Sequence, residues 1–308
     1  MTPRSYATPA AFKQALEQRL RASSATGTDF ARRRQLVVFE RFLARVSLQL
    51  KERVWLKGGL VLELRLERVR TTKDVDLRCV AAPERMLEEL QAAGRLQLGD
   101  FMAYEVQTHP GHPDIHNDGM KYDGIRLRAE CRLAGKIYGQ PFGVDIAFGD
   151  PLTEPAETVM GHDLLAFAGI APPEVRVVPI ETHIAEKLHA YTMPRARPNS
   201  RVKDLPDMAL LATARPLRAS RLRAAIERTF EYRGTHPVPS SVPVPPQDWS
   251  GAYAAMADED SLPWRRLDDL IIVVGAFLDP VLGDPSERTW QPGAWRWEEV
   301  DPAGTTAL

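Results

Sequence analysis

Apolar positions recur with helical spacing over the first 50 residues, alternate through 53–150, and return to helical spacing beyond that. Thr8-Pro9 reads as an N-cap followed by proline in the first turn, and Phe12, Leu16 and Leu20 then share one face. Residues 22–28 break the pattern. A second helix carries Leu36, Val37, Phe39, Phe42, Leu43, Val46 and Leu50, a stripe broad enough to be well buried. Val54-Trp55-Leu56 reads as a strand, Gly58-Gly59 as a turn, and 60–66 as a helix. In 74–79 the alternation is strict: Val75, Leu77 and Cys79 face one way, and Asp74, Asp76 and Arg78 the other. A helix over 83–93 and strands over 102–106, 125–133 and 142–148 follow.

Past Asp150-Pro151 the pattern turns helical, with one more strand over 175–178 and helices over 181–193, 204–213 and 267–278. The Pro-rich stretch 236–247 reads as a stiff connector. The tail, with Trp290, Trp295 and Trp297, is expected to fold back onto the body. These elements predict an α+β fold: a mixed sheet core flanked by helices, with a helical C-terminal domain. The expected divisions are an N-terminal helical segment at 1–50, the core at 51–150, a helical domain at 151–235, and a connector, closing helix and tail at 236–308.

The stretch 57–77, KGGLVLELRLERVRTTKDVDL, carries the clearest chemistry. Two carboxylates one residue apart on one strand face repel each other and raise each other's pKa. A divalent metal removes that conflict, and hard cations such as magnesium choose carboxylate oxygen. Glycines before a helix supply the complement, since their N–H groups approach a phosphate closely and a helix N-terminus favours an anion. The stretch can therefore hold a nucleoside triphosphate at Gly58, Gly59 and Lys57, and its metals at Asp74 and Asp76. On the strand at 142–148, Asp145 stands between Gly143 and Ala147, which leaves room for a metal or substrate; a surface aspartate fits equally.

Composition narrows the class. Hydrophobic residues make up 44%, enough for a sizeable core, and the net charge of −1 argues against a general nucleic-acid coat while allowing a local basic groove. Cys79 and Cys131 both fall on apolar strand faces, as buried thiols do in a reducing cytoplasm. The first residues lack the apolar core of a signal peptide, and no run has the length of a membrane span. A cytoplasmic protein with no membrane partner is expected. His109, His112 and His116 lie in a polar Pro- and Gly-containing segment without regular spacing, and read as loop. Arg32, Arg33 and Arg34 read as a solvated helix end.

A second constellation spans 179–211, PIETHIAEKLHAYTMPRARPNSRVKDLPDMALL. Lys187 lies beside the apolar stripe of its helix, where an ammonium either meets an anion or snorkels to solvent. Asp204 precedes Leu205-Pro206-Asp207 as an N-cap would. The first stretch, with Gly58-Gly59, fourteen intervening residues and then Asp74 and Asp76, resembles the nucleotidyltransferase fold shared by DNA polymerase beta. With Glu186-Lys187-Leu188-His189-Ala190, a basic loop and Lys203-Asp204-x-x-Asp207, the chain resembles the AbiEii family of nucleotidyltransferase toxins from abortive-infection and type IV toxin–antitoxin systems.

The resemblance implies particular roles. Asp74 and Asp76 match the metal-binding pair, Lys187 the lysine that engages the triphosphate, Asp204 the aspartate needed for activity, and Gly58 and Gly59 the phosphate turn. Similar enzymes place a third metal carboxylate on a neighbouring strand, the position of Asp145. Many members have serine where this chain has Gly59, so phosphate must be held here by backbone N–H and by lysine or arginine. Expected with them are magnesium or manganese, an NTP substrate, a cognate antitoxin, and an RNA acceptor, by analogy the 3′ end of tRNA. Arg126, Arg128, Arg132 and the loop 195–201 are candidates for an RNA path. The same chemistry on a small molecule or protein side chain, and a non-catalytic NTP- or antitoxin-binding module, remain as alternatives.

Overall fold

The computed structural model describes residues 5–66, 72–80, 83–111, 114–115, 124–148, 155–195, 201–284 and 286–299. Arg68, Arg70, His112, His116 and the loop residues 196–200 lie outside them. The chain divides into two compact units, Met1–Val178 and Pro179–Leu308.

The first unit opens with helices α1 (Pro9–Ala22) and α2 (Gly27–Leu50). Thr8 caps α1 by accepting from the Ala11 N–H, with proline at the first helical position as expected. Strand β1 (Val54–Lys57), helix α3 (Gly59–Leu66) and strand β2 (Asp74–Cys79) follow. Helix α4 (Met86–Gly94) leads to β3 (Met102–Thr108), β4 (Asp114–Ile115), β5 (Gly124–Leu133), β6 (Lys136–Ile137) and β7 (Phe142–Phe148). Two further strands, β8 (Glu157–Met160) and β9 (Glu174–Val177), complete the unit. The sheet runs β3-β5-β7-β2-β1-β9-β8, with β4 and β6 also on β5. It is mixed: β2 is parallel to β7 and β1 to β9, while β1/β2, β5/β7, β3/β5 and β8/β9 are antiparallel.

One face of this sheet carries the core. Val75, Leu77, Val144 and Ile146 are fully buried with Phe39, Phe42 and Val46 of α2. Because side chains alternate along a strand, that burial forces Asp74, Asp76 and Asp145 onto the opposite face. Arg78 shares that face, as the alternation predicts, but is buried there, with its guanidinium 5.7 Å from the Trp55 ring. The strand expected over 175–178 is β9; the region after 150, otherwise expected to be helical, also supplies β8 to the sheet, and a short strand, β4, lies inside the segment expected to be loop.

A buried ion cluster braces the back of the unit. Asp100 receives Arg41 at 2.7 Å and Arg45 at 2.6 Å. The five N–H donors of Arg45 are all engaged: Leu96, Arg41 and Met102 carbonyls and both Asp100 oxygens accept them. Burial pushes the Asp100 carboxyl up, but Arg45 and then Arg41 outweigh it and hold it below the usual carboxylate range.

The second unit is mainly helical: α5 (Ile180–Thr192), α6 (Asp204–Ala212), β10 (Leu217–Arg218), α7 (Ala219–Arg233), α8 (Trp249–Glu259), α9 (Leu267–Gly283), β11 (Arg288–Gln291) and β12 (Arg296–Glu299). The last two strands and β10 make a small antiparallel sheet. It folds back onto α9 through tryptophans, as expected. Trp290 is fully buried with its ring 4.8 Å from Phe277, and the Trp290, Trp295 and Trp297 N–H groups donate to the Ala212, Val273 and Phe277 carbonyls. Placing each indole N–H on a carbonyl lets the rings be buried without a desolvation penalty.

Candidate active site

The three carboxylates of the first unit come from neighbouring strands in register. Asp76 pairs across β2/β7 with Asp145, and on its other side across β1/β2 with Lys57. Beyond Asp145, the β5 partner is Arg126. One row of the sheet thus reads Lys57, Asp76, Asp145, Arg126. The adjacent row places Asp74 beside Gly143, and Gly143 beside Arg128.

Two glycines make these positions possible. Gly58 has φ +70°, and a Cβ there would stand 2.0 Å from Asp76 Oδ2. The turn therefore needs glycine both for its backbone and for the closeness of the carboxylate. Gly143 has an ordinary backbone, yet a Cβ would stand 2.5 Å from Asp74 Oδ1. Its N–H donates to that oxygen at 3.2 Å. The sequence suggested room around Asp145; the tighter requirement of Gly143 is toward Asp74, on the next strand.

Asp145 is held by Arg126 through two hydrogen bonds, Nε to Oδ1 at 2.7 Å and Nη2 to Oδ2 at 2.6 Å. That fork matches carboxylate geometry and restrains the arginine strongly. The Arg126 pKa is raised, first by the hydrogen bond to Asp145, then by the charges of Asp145, Asp74 and Asp76. The guanidinium therefore answers all three carboxylates. Of the other arginines proposed for an RNA path, Arg132 is engaged by Glu105 at 2.6 Å and Glu130 at 3.0 Å. Among the described residues, Arg128 and Lys73 have no carboxylate partner. The Arg32–Arg34 cluster is not merely solvated: it faces Glu63, Asp29 and Glu17.

Among the described residues no three His, Cys, Asp or Glu side chains form a ready-made metal cage. Asp74 and Asp76, with Asp145 one strand away, offer instead an open set of oxygen donors. Magnesium accepts such a set, because it keeps waters and binds substrate phosphates beside one or two carboxylates. The donor chemistry thus fits a hard divalent cation.

In the second unit, Lys187 of α5 meets two carboxylates of α6: Asp207 Oδ2 at 2.6 Å and Asp204 Oδ1 at 3.2 Å. Its helix offers no anion one turn away; the partners come from the next helix. Asp204 is not the N-cap, which is Lys203 without a side-chain hydrogen bond, so the capping expectation fails. Its carboxylate is turned to Lys187 instead. Asp207 is not among the site residues expected from the sequence. The i, i+3 spacing of Asp204 and Asp207 signalled one shared helix face, which is how both reach a single ammonium.

A sheet face with paired carboxylates, an adjoining Gly-Gly turn and a flanking lysine is chemically suited to nucleotidyl transfer. The family model described as "Nucleotidyl transferase AbiEii toxin, Type IV TA system" matches residues 41–271. The chain belongs to this AbiEii nucleotidyltransferase toxin family. Its fold is similar to that of MenT4, a nucleotidyltransferase toxin from Mycobacterium tuberculosis, at 15% identity and a TM-score of 0.50, covering 94% of this chain and 93% of that one. JHP933 from Helicobacter pylori aligns with a TM-score of 0.46 at 12% identity, over 84% of this chain and 94% of that one. No curated protein sequence matches the chain. No helix among the described residues is long and apolar enough to cross a membrane.

Proposed function

We propose that this enzyme transfers nucleotides from an NTP to the 3′ end of an RNA, with tRNA as the acceptor, and that it does so with magnesium or manganese. Asp74 and Asp76, with Asp145 once Arg126 releases it, would hold the metal. When bound, the metal would supply Lewis-acid activation of the attacking hydroxyl and charge stabilisation at the departing pyrophosphate.

The chain's own groups do the rest. Lys57, in register with Asp76, and the N–H groups at Gly58, Gly59 and the start of α3 neutralise and orient the triphosphate. The resemblance assigns Lys187 to the triphosphate, and within the second unit Asp204 and Asp207 fix the direction of its ammonium. Asp74, Asp76 and Asp145 stand close together on this face, and a cation entering among them would relieve their mutual repulsion. A cognate antitoxin is the expected protein partner, and the cytoplasm the expected compartment.

The register of Asp76 between Lys57 and Asp145 carries this reading. Incubating the purified protein with total tRNA and each α-labelled NTP in turn tests it. Label entering tRNA with one or more NTPs supports the reading. Label entering only protein or a small molecule would move the acceptor to another class.

A further inference from the structure

Next to Asp74 the sheet face opens into a cleft of about 450 Å³, lined by Lys73, Asp74, Arg126, Arg128, Phe142 and Gly143 among others. Its floor is Gly143, whose missing side chain separates Asp74 on one strand from Arg128 on the other. Its size is that of a small-ligand site. Its cations are not equivalent. Arg126 is committed to Asp145 by two hydrogen bonds. Arg128 is partly buried, and it has no carboxylate partner among the described residues. Lys73 is exposed and likewise has none. A partly buried arginine with no carboxylate partner, at the edge of an open cleft, is suited to receive an anion.

The layout also separates two anion sites. Lys57 and the turn at Gly58 lie on the β1 side of Asp76; Arg128 lies on the β5 side of Asp74. A reaction between an NTP and the end of a nucleic acid joins two polyanions, and it needs two such places, one for each. The triphosphate is assigned to the first by the glycine turn and the N-terminus of α3.

We propose that the cleft over Gly143 receives the last internucleotide phosphate of an RNA acceptor, with the Arg128 guanidinium as its ligand and Lys73 as a second, exposed charge. The terminal sugar then lies over Gly143, directed toward Asp74. Arg128 is a positioning residue in this account: it grips the strand and does not touch the bond that forms. The inference rests on the RNA-acceptor reading above.

The test uses the full chain without NTP and a 5′-fluorescein RNA heptamer, read by anisotropy. A second heptamer carries an uncharged methylphosphonate at its last linkage. For the wild type, the methylphosphonate should weaken binding roughly tenfold, the scale of one charged hydrogen-bonded contact. Arg128→Gln should lose about tenfold on the ordinary RNA and nothing further on the methylphosphonate, and its salt slope should fall by about one ion. Arg128→Lys, which keeps the charge without the fork, should lie between them; it also serves if Arg128→Gln fails to fold. An equal methylphosphonate penalty in wild type and Arg128→Gln would overturn the proposal while RNA remained the acceptor. No binding of either heptamer by the wild type would defeat the acceptor reading and the proposal together.

Discussion

Two arginine–aspartate pairs in the first unit each form a two-bond fork, to opposite ends: Arg45 through both Nη atoms on Asp100, and Arg126 through Nε and Nη2 on Asp145. Around Asp100 both partners are buried, Arg45 and Asp100 at 0% exposure, and two arginines and three carbonyls complete the pairing. In the other pair the Asp145 side chain is 19% exposed and that of Arg126 37%, with Asp74 and Asp76 close enough to act on the same guanidinium. The first cluster is closed and has nothing left to bind. The second gathers three carboxylates and several cations on one face and opens to a cleft. Ion pairing alone therefore does not mark a site; charged groups gathered at an accessible face do.

The comparison is broken most directly at Asp100. Asp100→Asn would leave Arg45 buried and charged without its carboxylate, at a cost of about 3–5 kcal/mol. Urea denaturation measures it, and turnover per folded molecule should be unchanged. A loss under 1 kcal/mol would mean that the buried cluster is not the brace described.

Lys187 sits between the two cases, with its side chain 13% exposed and two carboxylates facing it. Lys187→Ala would remove the ammonium that lies 2.6 Å from the fully buried Asp207, and should cost about 3 kcal/mol. Asp204→Ala leaves Asp207 on the ammonium and should cost less. Thermal melting of both variants decides the order, and the reverse order would favour a capping role for Asp204 after all.

His189 shows the third way to bury a titratable group, which is to keep it neutral. Burial, then the charge of Arg233 and His236, lowers its pKa to about 4. Its Nε2 lies 2.8 Å from Thr235 Oγ1. Because the unfolded imidazole has the higher pKa, the stabilisation is full above about pH 6.5 and is lost as the pH falls toward 4. From pH 7 to 5 the loss should be roughly 1–2 kcal/mol. Melting temperature against pH measures it, and His189→Gln should flatten the acid limb. An unchanged slope would assign the acid sensitivity to another group.

Arg126→Gln should have the smallest effect on stability, within about 1 kcal/mol, because the pair is partly solvated. Its effect on metal should be larger. Freed of the guanidinium, Asp145 and its neighbours should bind manganese several-fold more tightly in calorimetry without nucleotide. Weaker manganese binding would mean that Arg126 holds the carboxylates in place for the metal rather than against it.

Much of this was legible in the sequence. Strict alternation placed Asp74 and Asp76 on one face, and Gly58-Gly59 before an apolar helical run marked the turn, because both signals are local. The row that joins Lys57, Asp76, Asp145 and Arg126 was not legible, since strand order and register are long-range properties. Alternation put Arg126 on a polar face and Asp145 on another, but nothing local says that β5 and β7 are neighbours. Strand β8 was hidden for a related reason: it lies at the sheet edge and none of its four residues is buried, whereas β9 was legible from the apolar positions over 175–178. Asp204 shows the opposite error, where a local capping pattern was convincing and the partner on another helix won.

The central claim is that the Asp74–Asp76 face performs nucleotide transfer, and Asp76→Asn tests it most directly. The substitution keeps the size of the side chain beside Gly58 and removes its charge. Transfer of label from an α-labelled NTP to RNA in magnesium should fall by at least about a hundredfold, with the melting temperature little changed. A folded Asp76→Asn protein that transfers nucleotide at the wild-type rate would contradict the account.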